Sequence, residues 1–152
     1  LDSRDYWRFR KFYTSQVEKI ISLLDRQFSE GQIEVDTYLK ICEQTGEVPD
    51  EKKLPPEIGQ YPTEVQEAFL IHGLLPDRWE GMSGYYMGKD MSALKALLDI
   101  YEIKDKKVVV YFLKHIESKH SDYVNKKQDK KRKAAESAAK AKGKLNTPTR
   151  KR

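Results

Sequence analysis

The stretch from Tyr61 to Glu102, YPTEVQEAFLIHGLLPDRWEGMSGYYMGKDMSALKALLDIYE, constrains this chain more than any other. Two amphipathic helical patterns flank a segment, Leu74 to Lys89, with one Trp, two Tyr, two Met and three Gly. Thr63-Glu64-Val65-Gln66 has the form of a capping box, in which Thr63 and Gln66 satisfy end amides reciprocally. The helix that follows would turn Val65, Phe69 and Leu70 inward and stop at Gly73. Asp90 or Ser92 would cap the next helix, whose inner face is Met91, Leu94, Leu97, Leu98 and Tyr101. Between the helices, glycines allow backbone angles that other residues resist, so a Gly/aromatic loop is expected. Its large side chains support two readings. Trp79, Tyr85, Tyr86 and Met87 could fold back as a plug over the helical core. Alternatively, they form an exposed patch for a partner, because interfaces enrich Trp, Tyr and Met. Under either reading Trp79 and one of the two tyrosines should be substantially buried, in the domain or under a partner.

Upstream, Ser3 reads as an N-cap and Asp5 suits the first turn. Tyr6, Phe9, Tyr13, Val17, Ile20, Leu24 and Phe28 then step by three or four. That spacing predicts a long N-terminal helix of about 26 residues, ending before Gly31. Its first turns, YWRFRKFY, mix aromatics with Arg8, Arg10 and Lys11. They read as a core stripe with snorkelling basic residues or as a contact surface, with Tyr6 and Trp7 as partner-binding candidates. Asp36 caps a short helix, Thr37 to Gln44, with Tyr38, Leu39 and Cys42 as candidate buried positions and Gly46 closing it. Glu47 to Pro62 holds four prolines in 16 positions, which forbids a regular helix or a central strand.

Downstream, Asp105 is the expected cap of a last helix. Val108 to Leu113 is a six-residue apolar run that a buried strand would also accept. Helix is preferred, because Val109, Phe112, Leu113, Ile116 and Tyr123 continue one helical face beyond the run. Ala and Lys favour extending that helix through 126–142, yet this part has almost no apolar side chain to bury. The expected fold is therefore all-α, with four to five helices and a basic, partly helical tail. The expected division is 1–46 for the N-terminal helices, 47–62 for the linker, 63–125 for the central core and 126–152 for the tail.

Charge is segregated along this plan. Residues 126–152 hold 12 Lys or Arg against Asp129 and Glu136, a net of +10, whereas residues 1–125 carry 17 basic and 22 acidic residues, a net of −5. The candidate nucleic-acid contacts are Lys126, Lys127, Lys130, Lys131, Arg132, Lys133, Lys140 and Lys142. The tail has no aromatic, so it can attract phosphate without reading bases.

Catalytic and cofactor motifs are not legible. A Walker-type loop needs Gly, four residues, then Gly-Lys-Ser/Thr; here three residues separate Gly84 from Gly88, and Asp90 stands where the hydroxyl belongs. His115 and His120 are five apart and face different ways on a helix, so they do not share a metal. His72, at a helix end, is expected to serve the last carbonyls. The lone cysteine, Cys42, rules out an internal disulfide and reads as a small buried hydrophobe. Hence no catalytic, cofactor or metal residue is expected, and the chain is not read as an enzyme. No apolar run reaches the ~20 residues that cross a bilayer, and LDSRDYWRFRKF lacks the apolar core of a signal peptide. The expected location is the cytoplasm or a virion, with no membrane partner.

Residues 62–116, with LLPDRWEGMSGYYMGKD followed by LLDIYEI and YFLKHIE, resemble small accessory proteins of tailed bacteriophages encoded among structural and assembly genes. The resemblance implies a non-enzymatic role in virion assembly, or a minor virion component. Composition and charge lead to a compatible expectation: a non-catalytic adaptor or assembly factor that binds a protein through its helical body and attaches electrostatically through its tail. The alternative is a sequence-nonspecific nucleic-acid-binding protein using the tail and the aromatic, basic N-terminal turns.

Overall fold

The structure is a computed structural model that describes residues 16–29 and 35–145. The described chain is mostly helical. Helix α1 covers residues 16–27, and α2 (Val35–Thr45), α3 (Thr63–Leu74), α4 (Leu94–Ile100) and α5 (Lys106–Leu145) follow. Strands among the described residues are confined to one antiparallel pair, β1 (Asp77–Trp79) and β2 (Tyr86–Lys89). The longest described helix is thus C-terminal, at 40 residues, and not the N-terminal one that the aromatic periodicity predicts. Residues 1–15, with Tyr6 and Trp7, lie outside the described residues.

The core forms where α1 and α3 meet the first half of α5. Ile20 and Leu24 of α1, Val65, Ala68 and Ile71 of α3, and Val108, Val109, Phe112, Leu113 and Ile116 of α5 are buried together. The α5 residues follow helical spacing, so one apolar stripe faces α3 along about three turns. That packing settles Val108 to Leu113 as helix: alternating residues of a strand could not have put 108, 109, 112, 113 and 116 on one face. Asp105 caps α5 as its position suggests, its carboxylate accepting from Val108 N at 3.3 Å. Leu98 of α4 and Ile103 close one end of the core.

Several expectations about these elements change. Helix α2 begins at Val35, so Asp36 lies within it instead of capping it, and Asp90 caps a short 3-10 turn, Met91–Ala93, while α4 itself has Ala93 as its N-cap. The N-cap of α3 is Pro62, one residue before the predicted Thr63, and no side chain bonds the cap. Gln66 instead reaches back to donate to Tyr61 O at 2.7 Å, which helps hold Tyr61 in the core. In α2, Cys42 is buried, but Tyr38 and Leu39 are only half-buried. The proline-rich segment behaves as its composition requires, forming only two short 3-10 turns, Glu51–Lys53 and Ile58–Gln60.

Candidate functional site

The segment expected as a Gly/aromatic loop is a β-hairpin laid across α5. Asp77 pairs with Lys89, Arg78 with Gly88 and Trp79 with Tyr86, with a bulge between Arg78 and Trp79. Glu80 shapes the turn, accepting from Met82 N at 3.1 Å and Ser83 N at 2.6 Å, while Gly84 turns back at φ 65° and donates to Glu80 O at 2.9 Å. Strands of three and four residues are too short to display a two-residue period, so the hairpin leaves little trace in the sequence. The glycine-bearing link between Trp79 and Tyr86 is its one cue.

Two strands alone are marginal in water, and α5 supplies what is missing. The outer edge of β2 would otherwise expose backbone groups. Asn125 satisfies one residue of that edge, accepting from Tyr86 N at 2.9 Å and donating to Tyr86 O at 3.0 Å. Glu117 Oε1 accepts from Lys89 N at 2.8 Å. The fit is metrical: eight helical residues rise ~12 Å and three strand residues ~10 Å, so Asn125 and Glu117 match Tyr86 and Lys89. Gly88, at φ 92°, permits the approach, since a Cβ there would overlap Glu117 Oε1.

The hairpin's side chains divide between the two readings of the sequence. Tyr86 is the plug: it is 1% exposed, and its hydroxyl donates to Asp77 Oδ1 at 3.0 Å. Trp79, Tyr85 and Met87 are not buried; their exposures are 46%, 58% and 50%. The plug reading is therefore corrected for Trp79, Tyr85 and Met87, which leaves these three to the exposed-patch reading. The Trp79 ring stands edge-on to Tyr86, centroids 4.9 Å apart, and leaves one side to solvent, because β1 lies at the outer edge of the sheet. Trp79 and Tyr85 border a groove of about 570 Å³ whose far wall is Asn125, Gln128, Asp129 and Arg132 of α5.

Beneath the hairpin lies a cluster that sequence reasoning misses. His72 is not turned to the helix carbonyls. Its Nε2 is 2.7 Å from Glu117 Oε2, and its ring stands edge-on to that of His120, centroids 5.0 Å apart. His72 is buried, while Glu117 and His120 are half-buried. Ser121 Oγ donates to Glu117 Oε1 at 3.1 Å, so that oxygen is anchored twice and the other faces the imidazole. Burial holds both imidazoles below their usual pKa, outweighing the attraction of Glu117, and Lys89 adds to the effect. Lys89 in turn pairs with Asp77 at 2.7 Å, which keeps the Asp77 carboxyl below its usual range. His115 and His120 do face apart, as their spacing predicts, but the partner of His120 comes from α3, 48 positions away.

Beyond Asn125 the same helix enters solvent. Lys126, Lys127, Lys130, Lys131, Arg132, Lys133 and Lys140 all lie on α5 with exposed side chains, as does every residue of 126–141. Lys142 also lies within α5. Arg132 pairs with Asp129 at 3.0 Å. No helix among the described residues is long and apolar enough to cross a membrane. Comparison with known proteins finds no matching family model, curated protein or solved structure.

Proposed function

We propose that this chain is a non-catalytic adaptor: its folded body engages a protein partner, and its basic helical arm attaches to nucleic acid or another polyanion. The observation that carries this reading is the division of α5. Residues 126–145 continue as helix for ~30 Å past the core, with nine Lys or Arg against two acidic residues, on a protein whose residues 1–125 are net acidic. A helix with no buried face serves no packing role, while regularly spaced cations along it suit a phosphate backbone. The exposed Trp79, Tyr85 and Met87 supply the kind of surface that protein partners use. The resemblance to phage accessory proteins points the same way, towards a virion assembly role.

The test is duplex DNA binding by the full chain at several salt concentrations. If about six cations meet phosphates, log K should fall against log salt with a slope of roughly −5. Replacing Lys130, Lys131, Arg132 and Lys133 together by Ala should make the slope shallower and leave the melting temperature unchanged. Absence of binding at ~50 mM salt would remove the electrostatic half of the proposal.

A second reading rests on the groove. Trp79 and Tyr85 stand across from Arg132, an arrangement in which unpaired bases could stack beside a cation. In that case the chain is a nucleic-acid-binding protein proper. The double variant Trp79→Ala/Tyr85→Ala would then lose single-strand affinity by about 1–3 kcal/mol per stacked base, with little change for duplex.

A further inference from the structure

We propose that His72, Glu117 and His120 form a binding site for a divalent transition metal of the zinc class, closing the α3–α5 interface beneath the hairpin. Glu117 and His120 are three apart on α5 and so share a face, and His72 meets them from the facing helix. One ligand atom from each residue falls within a sphere where all three lie within 4.8 Å of one another. A tetrahedral ion with bonds of ~2.0–2.1 Å needs ligand atoms about 3.3 Å apart. Small side-chain rotations bring the set to that size: His72 and Glu117, at 2.7 Å, open slightly, and His120 closes in.

Three further observations point to a ligand. His120 Nδ1 is buried and has no hydrogen-bond partner, the state of a donor atom awaiting an acceptor of its lone pair or a proton-accepting neighbour. Metal-binding carboxylates are themselves held by outer hydrogen bonds, and Glu117 Oε1 is held by Lys89 N and Ser121 Oγ, which leaves Oε2 for the ion. His72 is buried and Glu117 and His120 are half-buried, so an ion held there would be largely shielded from bulk water. Two imidazoles and one carboxylate suit zinc, cobalt or nickel better than calcium or magnesium, which prefer all-oxygen sites. The Lys89 ammonium is the one opposing charge from β2, and Asp77 of β1 offsets it at 2.7 Å. The three protein donors leave a fourth position for water. Because α3, α5 and β2 all contribute to the site or its support, the ion would fasten the hairpin platform to the core.

Tag-free full-length protein should bind one Zn²⁺ per chain with a rise in melting temperature, and Co²⁺ should give the visible absorption of a tetrahedral site. His120→Phe keeps a ring against Phe28, Tyr86 and His72 and removes the nitrogens. Losing outer-shell partners alone costs ~10–100-fold in affinity, so this variant should bind about 100-fold or more weakly while melting like the metal-free parent. His115→Gln should bind like the parent. In the unaltered protein, Zn²⁺ should shift the ring resonances of His72 and His120 but not His115, a readout that needs no variant to fold. The site is overturned if Zn²⁺ leaves melting temperature and those resonances unchanged, or if His120→Phe binds as tightly as the parent. In that outcome the cluster is a buried His–Glu hydrogen bond and nothing more.

Discussion

The two halves of α5 are one continuous helix under opposite rules. Residues 106–125 bury five large aliphatic or aromatic side chains and carry the groups that hold the hairpin, Glu117 and Asn125. From residue 126 onward no described side chain is even half-buried. The first half is fixed by tertiary packing, since its β-branched Val108, Val109 and Val110 lose rotamer freedom in a helix. The second half, rich in Ala and Lys, depends on local propensity and on continuing a helix already nucleated by the first. The difference shows that a helix boundary and a domain boundary need not coincide: the body ends near Asn125, and the backbone hydrogen bonds run on.

The comparison can be broken most forcefully at Phe112. It is 2% exposed at the centre of the stripe, and Phe112→Ala should cost about 3–5 kcal/mol, read as a fall in the denaturation midpoint. A loss under about 1 kcal/mol would mean that the inner half of α5 is no better packed than the outer.

The next effect concerns how α5 grips the hairpin. Gly88→Ala must place a Cβ against Glu117 Oε1 and hold a positive φ, and should destabilise by about 2–3 kcal/mol. Hydrogen exchange should locate the damage, with the Lys89 and Tyr86 amides losing protection before those of α3. Uniform protection in the variant would show that the hairpin does not rely on this approach.

Trp79→Ala should be milder. The half-exposed ring gives up one edge-on contact with Tyr86, so about 1 kcal/mol is expected in chemical denaturation. A core-sized loss near 3 kcal/mol would restore Trp79 as a plug and shrink the surface available to a partner.

The smallest effect on global stability belongs to the arm. Ala135→Pro removes a helical hydrogen bond and clashes with the preceding turn, costing the arm about 3 kcal/mol of local helix stability. Circular dichroism should therefore lose signal corresponding to part of 126–145, while the thermal midpoint of the body stays where it was. A shift in that midpoint would show the arm to be part of the cooperative unit.

The sequence by itself determined the parts of this protein that depend on neighbours along the chain. The helical stripe of Val109, Phe112, Leu113 and Ile116 is periodic, Asp105 caps α5 and Asp90 the 3-10 turn before α4 by short-range hydrogen bonds, and four prolines keep 47–62 irregular. The charge of the tail needs no fold at all. What depends on distant partners was decided by the tertiary structure. The two short strands exist because Asn125 and Glu117 complete their edge, and neither residue announces that role in a linear reading. Trp79 and Tyr86 look alike in sequence and, as cross-strand partners, share one face of the hairpin, yet the strand beside α5 buries Tyr86 while the outer strand leaves Trp79 half-exposed. His72 finds Glu117 and His120 only because α3 lies along α5. Side-chain chemistry across a helix–helix interface is set by which faces meet, and a linear pattern records each face without recording its partner.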